Sequence, residues 1–248
     1  MILMTKLYLH ELLGYENIKI YQKDKNFKFS LDSMLLADFI KPKEKDIIVD
    51  LGTGNGPIPL FLTLKTKSKI YGVEIQEEIC ELFVKSIEIN GFEKQIIPVN
   101  KNLKVVYKTI VDNKFNIVCS NPPYFKYKEG SNVNKSRELT IARHEVLVCL
   151  EDIVKEATKL LVDGGSFYLV HRTFRLSEVL LLLKENNFGV KRLKFIYPKI
   201  ESDALIFLLE AKKNRKDDVV VERPLVVHNE DGKYTDEVLK IFNFKKEE

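Results

Sequence analysis

This 248-residue sequence predicts an α/β fold in which helices cover both faces of a mostly parallel, seven-stranded sheet that ends in an antiparallel hairpin. Three observations carry that reading. Short apolar runs alternate with amphipathic stretches from residue 47 to residue 210, the pattern of a doubly wound sheet. The first apolar run opens onto a glycine-rich turn. The last two runs are joined only by Pro198-Lys199-Ile200-Glu201-Ser202-Asp203, too short for the helical crossover that a parallel pair requires.

In chain order, Ile47 to Leu51 reads as the first sheet strand, and Pro57 to Leu62 opens a helix, since proline is tolerated in a first turn. Lys69 to Glu74 is the second strand, and Glu77 to Asn90 is a helix closed by Gly91. Gln95 to Val99 gives the third strand, Leu103 to Val111 a helix, and Lys114 to Cys119 the fourth strand. A helix from Val146 to Leu161, the turn Asp163-Gly164-Gly165 and a fifth strand from Ser166 to His171 follow. The helix Leu176 to Asn187, with Gly189 beyond it, leads to the final strands Val190 to Tyr197 and Ala204 to Ala211. A nucleotide-binding type of sheet with this ending resembles the Rossmann-like plan of class I methyltransferases and departs from an all-parallel dehydrogenase sheet.

Composition narrows the class further. The chain is 45% hydrophobic and 31% charged, with formal charge +4, which suits a globular protein and only weakly suggests a polyanionic partner. No window approaches the roughly 18 apolar residues of a membrane span, and the N-terminus does not read as a signal peptide, so a cytoplasmic protein is expected. Cys80, Cys119 and Cys149 lie far apart without metal-ligand spacing, so they read as small buried hydrophobes and no metal is expected.

The turn Asp50-Leu51-Gly52-Thr53-Gly54-Asn55-Gly56 leaves the first strand and enters a helix. Its glycines let the backbone approach a ligand in the crevice beyond the strand ends. Pro57 stands where a dinucleotide fingerprint needs its last glycine, which counts against a nicotinamide cofactor. S-adenosylmethionine fits better. Asp50 can organise the loop and meet an ammonium, with Gly52, Thr53, Gly54 and Gly56 around it, and Glu74 can accept both ribose hydroxyls. Asn100 and Asn102 are both candidates to read the adenine, Asn102 being preferred, with an ordinary helix cap as its alternative role.

After the fourth strand comes Asn121-Pro122-Pro123-Tyr124, which matches the [DNS]PP[YFW] signature of methyltransferases acting on planar amino groups. The chemistry explains the residue types. A conjugated exocyclic amine is a poor nucleophile because its lone pair is delocalised. If the Asn121 side-chain oxygen and the Pro122 carbonyl each accept one N–H, the nitrogen can rehybridise, while Pro123 stiffens the turn and Tyr124 stacks on the target ring. Catalysis is then positioning and electrostatics, without a strong general base. The loop from Phe125 to Arg143 mixes Lys126, Lys128, Lys135 and Arg137 with Tyr127, charges that can seat phosphates beside an aromatic that can stack.

The motif alone does not separate adenine N6 in DNA or RNA, guanine N2, or a glutamine amide. Only 49 residues precede Asp50, short for the helical domain of release-factor glutamine methyltransferases, and little length is left for a DNA target-recognition region. The segments Leu12 to Gln22 and Phe27 to Phe39, then Ala142-Arg143-His144-Glu145, Pro198-Lys199, Pro224 to Val227 and Gly232 to Thr235, closely resemble the bacterial tRNA (adenine-N6)-methyltransferase family acting on valine tRNA. That resemblance implies methylation of the adenosine 3′ of the anticodon, position 37, in an anticodon stem-loop whose base is flipped into the site. It places Phe29, Ser30 and Asp32 on the methionine side of the cofactor, with Asp32 as a helix N-cap the alternative. It also implies RNA or loop contacts for Arg143 and His144, a surface pair being the alternative.

On this reading residues 1–45 form a segment packing on the cofactor site, 46–211 the methyltransferase domain and 212–248 a linker and extension, with a monomer favoured. Lys212 to Asp218 reads as a solvated linker. A protein glutamine N5-methyltransferase and a non-catalytic RNA-binding module are the competing readings.

Overall fold

The computed structural model describes residues 7–23, 31–110, 114–124 and 148–244. An antiparallel hairpin, β1 (Tyr8–Leu12) and β2 (Tyr15–Gln22), precedes α1 (Leu31–Phe39). Next come β3 (Ile48–Leu51), α2 (Pro57–Leu62), β4 (Ile70–Glu74), α3 (Glu77–Ile89), β5 (Ile96–Asn100), a 3-10 turn at Leu103–Lys108, and β6 (Phe115–Ser120). The second half comprises α4 (Leu150–Leu160), β7 (Leu161–Arg172), a 3-10 turn at Thr173–Arg175, α5 (Leu176–Glu185), β8 (Phe188–Tyr197) and β9 (Ile206–Lys213). Two short strands, β10 (Val220–Val221) and β11 (Leu225–Val226), and α6 (Asp236–Phe242) close the described chain.

The main sheet runs β10-β8-β9-β7-β6-β3-β4-β5, with β11 also on β8. Strand β9 is antiparallel to both β7 and β8, and the remaining pairs are parallel. The predicted seven strands and their antiparallel ending are therefore present. The extension adds β10 and β11 to the β8 edge.

Alternation along the strands builds two cores. Ile48, Cys119, Val170 and Leu208 point to the face covered by α1, α2, α3 and α6, where Leu36, Leu60, Phe83 and Phe242 are buried. Val49, Val118, Leu169 and Phe207 point to the other face, against Leu150, Ile153 and Ala157 of α4 and Val179 and Leu183 of α5. All four residues of β3 are buried, as a parallel strand covered on both faces must be.

Several expectations are corrected in detail. The stretch after Asn102 is a 3-10 turn rather than an α-helix; Lys104-Val105-Val106-Tyr107 is short and rich in weak helix formers. The predicted Asp163-Gly164-Gly165 turn lies inside β7 as an irregularity, since Leu161 pairs with Phe115 while Ser166 pairs with Ile117. Helix α5 ends at Glu185, and Asn187 takes the left-handed conformation beyond it (φ 60°), leaving Gly189 inside β8 against the backbone of Arg215 and Lys216. Residues 212–218 do more than link. Lys212 and Lys213 belong to β9, Asp217 accepts the Val190 N–H at 2.9 Å, and Arg215 pairs with Asp163 at 3.0 Å.

The first hairpin, which the sequence reading did not resolve as strands, packs on α3. Tyr21 N–H donates to Ser86 Oγ at 2.9 Å, and Asn90 both accepts from Lys19 N–H and donates to its carbonyl.

Candidate active site

The carboxyl ends of β3, β4, β6 and β7 converge on one crevice. The glycine-rich turn is fixed by β4: Gly52 and Thr53 N–H groups donate to the Val73 carbonyl at 3.0 and 2.8 Å, and Gly54 N–H donates to Glu74 Oε2 at 3.1 Å. Glu74 Oε1 accepts the Gln76 N–H at 2.8 Å, so one carboxylate joins the turn to the start of α3. Burial raises the Glu74 pKa, against the backbone N–H groups of Gln76 and Gly54, which lower it. The Asn55 side chain donates to the Tyr21 carbonyl at 2.9 Å, which ties β2 to the same turn.

The glycines separate into two roles. A Cβ on Gly56 would overlap the Phe83 ring, so this glycine permits packing. A Cβ on Gly52 or Gly54, both at positive φ, would meet nothing within 4 Å. Those two present bare backbone to open space, where a ligand can approach.

Beneath the turn, Asp50 is fully buried. One carboxylate oxygen lies 3.7 Å from Cys119 Sγ; the other makes no hydrogen bond of full geometry, and the nearby Thr53 hydroxyl and Cys119 thiol only partly offset its burial. Burial pushes the Asp50 carboxyl up to about 7, and the neighbouring Glu74 charge adds to the rise. A buried acid only partly satisfied, beside an open glycine cradle, suits a cationic ligand group, and the ammonium of S-adenosylmethionine is one. Asn102, the preferred adenine reader, caps the 3-10 turn by accepting the Lys104 N–H at 3.0 Å, the alternative role given to it. Asn100 donates to the Glu74 carbonyl at 2.9 Å.

The Asn121-Pro122-Pro123-Tyr124 segment leaves β6 immediately beside this turn, where Ser120 Oγ donates to the Leu51 carbonyl at 2.8 Å. Pro122 is buried, and the other three are half-buried. Asn121 Nδ2 donates to Ser33 Oγ at 2.8 Å, which turns Oδ1 toward the Tyr124 hydroxyl at 2.5 Å. That hydroxyl also lies 2.8 Å from Asp32 Oδ2. Asp32 is the second residue of α1, inside its first turn, so its carboxylate faces Tyr124 where the sequence reading allowed an N-cap.

Four residues around this loop were missed by the sequence reading: Ser33, His171, Arg172 and Arg175. The Arg172 guanidinium lies 4.7 Å from the Tyr124 ring centroid, and the His171 ring meets it edge-on at 5.4 Å. Arg175 Nη1 donates to the Tyr124 carbonyl at 3.3 Å. Burial, helped by the Arg175 charge, lowers the His171 pKa to about 3, so the imidazole is neutral and Nδ1 accepts the Arg172 N–H. For His171, Arg172 and Arg175 the position at or just past the end of β7 was the available signal, because ligands bind beyond the carboxyl ends of such strands. Phe29, Lys126, Lys128, Arg137, Arg143 and His144 lie outside the described residues.

A mostly parallel sheet with an antiparallel penultimate strand, an acid-led glycine turn and an NPPY loop defines the class I methyltransferase architecture. The sequence model of the family described as "Methyltransferase small domain" matches residues 26–193, and the chain belongs to that family. It is an S-adenosylmethionine-dependent methyltransferase. The chain is 26% identical over 208 residues to the tRNA1(Val) (adenine(37)-N6)-methyltransferase of Trichodesmium erythraeum, covering 80% of this chain and 84% of that one. It is 25% identical to the protein of that name from Haemophilus influenzae strain PittGG, covering 92% and 94%. A release factor glutamine methyltransferase of Buchnera aphidicola is 29% identical over 150 residues, covering 57% of this chain and 52% of that one. Among solved structures, a "predicted O-methyltransferase" from Agrobacterium tumefaciens superposes with TM-score 0.67 at 22% identity, covering 86% and 95%. No helix among the described residues is long and apolar enough to cross a membrane, and no cluster of metal-ligating side chains occurs among them.

Proposed function

We propose that this protein methylates N6 of adenosine 37, the nucleotide 3′ of the anticodon, in tRNA1(Val), working in the cytoplasm on the anticodon stem-loop and as a monomer. The arrangement of Asn121 carries the reading. Ser33 fixes the amide nitrogen, and the amide oxygen accepts the Tyr124 hydroxyl, which makes it the acceptor that an amine N–H would take over.

S-adenosylmethionine supplies an electrophilic methyl group; Asp50, Thr53, the Gly52–Gly54 backbone and Glu74 are the residues that would hold it. Asn121 Oδ1 and the Pro122 carbonyl then accept the two N–H groups of the adenine amine, so its lone pair is no longer tied up in conjugation with the ring. Tyr124 must first release Asn121 Oδ1. Its hydroxyl already has a second acceptor in Asp32 at 2.8 Å, so it can give its proton there without losing a partner. The amine nitrogen so held would take the methyl group, and the bonding pair of the methyl–sulfur bond would stay with the sulfur of the cofactor. The alkylated amine then sheds one proton to solvent, which needs no dedicated base.

The test is transfer of labelled methyl from S-adenosylmethionine into total tRNA of cells lacking this protein, followed by nucleoside analysis. N6-methyladenosine next to a valine anticodon is the expected product. Label in protein glutamine, with none in tRNA, would move the assignment to the chemistry named for the Buchnera relative. Cofactor binding without any transfer would favour a non-catalytic RNA-binding module.

A further inference from the structure

Strand β2 ends on Gln22, which is polar where the pattern of the strand calls for an apolar side chain. Ile18, Ile20 and Gln22 share its inward face at 2%, 0% and 3% exposure, alternating with the more exposed Asn17, Lys19 and Tyr21. The two isoleucines belong to the core that holds Phe61 of α2 and Phe83 of α3. Gln22 stands one step further along that face, where the Asn55 side chain of the glycine-rich turn donates to the adjoining Tyr21 carbonyl at 2.9 Å. On its other side Lys23 pairs with Glu78 in the first turn of α3. Gln22 is thus set between the glycine turn and α3, and its Nε2 is buried with no hydrogen-bond partner. A buried amide N–H left unpaired destabilises a fold, whereas an apolar side chain of the same shape there does not.

The end of S-adenosylmethionine that bears the ammonium also bears a carboxylate, and a carboxylate needs donors. Ionised Asp50 and Glu74 suit the ammonium and the ribose hydroxyls, but they are acceptors only. We propose that Gln22 is a further cofactor-binding residue: its Nε2–H donates to the methionine carboxylate, and the ligand thereby completes the hydrogen bonding of a buried amide. The hairpin then has a part in cofactor recognition as well as in packing on α3. This concerns the cofactor alone and holds whichever amine is methylated.

The test is calorimetric titration of wild type, Gln22→Met and Gln22→Glu with two ligands, S-adenosylhomocysteine and 5′-methylthioadenosine, beside thermal melts of the ligand-free proteins. The second ligand keeps the adenine, ribose and sulfur of the first and lacks its amino-acid end. Gln22→Met preserves the length of the side chain and removes the donor. It should weaken S-adenosylhomocysteine binding roughly ten- to a hundredfold, the worth of a hydrogen bond to a charged group. Its affinity for methylthioadenosine should equal that of wild type, and it should melt at or above the wild-type temperature. Gln22→Glu sets a carboxylate against a carboxylate and at pH 8 should weaken S-adenosylhomocysteine at least as far, again sparing methylthioadenosine. Wild-type affinity of Gln22→Met for S-adenosylhomocysteine would overturn the proposal. So would equal losses for both ligands, which would assign Gln22 to shaping the glycine turn through Tyr21 and Asn55.

Discussion

At Asp50, stability and binding pull in opposite directions. The carboxyl is fully buried, and its pKa stands near 7 instead of its ordinary value of about 4. Below about pH 4 the group is protonated in both folded and unfolded chains and costs nothing. Between pH 4 and 7 the unfolded chain ionises first, so the folded state loses relative stability, and the full cost persists above pH 7. Three pKa units correspond to roughly 4 kcal/mol as an upper figure. Asp50→Asn should therefore raise the melting temperature of the cofactor-free protein at pH 8 and leave it nearly unchanged at pH 4. An ammonium favours the ionised acid, so wild-type affinity for S-adenosylmethionine should weaken toward tenfold per unit as pH falls below 7, and Asp50→Asn should bind weakly with no such dependence. Calorimetric titration across pH 5–8 checks both, and equal cofactor affinity in the two proteins would remove Asp50 from the ammonium site. At Asn121 the expected split is different. Asn121→Ala removes an acceptor for the target amine but touches no group of the glycine turn, so turnover should fall about a hundredfold or more with cofactor affinity retained. Loss of both together would refute that division of labour.

At the scale of the element, the turn between β3 and α2 combines two kinds of glycine, and substitution separates them. All three turn glycines have positive φ, so alanine strains each by about 1 kcal/mol or more. Gly54→Ala adds only that strain plus a methyl in open space. The protein should fold, and cofactor affinity should drop. Gly56→Ala forces a methyl into Phe83, a fully buried ring at the centre of one core, and should destabilise by several kcal/mol. Urea melts with and without cofactor distinguish the two, and similar melts for both variants would show that Gly56 is not a packing glycine. The alternation of strand and helix made this turn legible in the sequence, as did the proline pair after β6, because both depend on local residue type. Less legible were features set by distant partners. Ile18-Lys19-Ile20 in β2 alternates inward and outward, but the strand becomes evident only when Ser86 of α3 and Asn90 at its C-terminal cap receive it. Ser33 beside Asn121 depends on a contact 88 positions apart, which no periodicity announces.

At the scale of the molecule, the first hairpin and α6 meet beside α1. Gly14 N–H donates to the Phe242 carbonyl at 3.0 Å, and Tyr15 Oη donates to the Ile241 carbonyl at 3.1 Å, joining the first hairpin to α6. Leu36 of α1 is buried in the same core as Val238 and Phe242. The first turn of α1 carries Asp32 and Ser33 against Tyr124 and Asn121, so the extension supports side chains of the candidate site that it never touches. Arg192 of β8 fastens this assembly. Its guanidinium pairs with Glu222 at 2.6 Å and Glu210 at 3.0 Å, donates to the Phe39 carbonyl at 3.3 Å, and lies 3.9 Å from the Phe39 ring centroid at the end of α1. Removing the cation leaves Glu210 buried without its charge partner, an outcome that costs about 3–5 kcal/mol. Arg192→Met should destabilise by that order, and adding Glu210→Gln should return part of it by removing the stranded charge. If the extension holds α1 in place, Arg192→Met should also lower kcat at temperatures where the protein is still folded. Hydrogen exchange should then rise in α1 and α6 before it rises in β3. Full activity with faster exchange confined to residues 220–244 would show instead that α1 keeps its position without the extension, and that Arg192 serves the sheet edge alone.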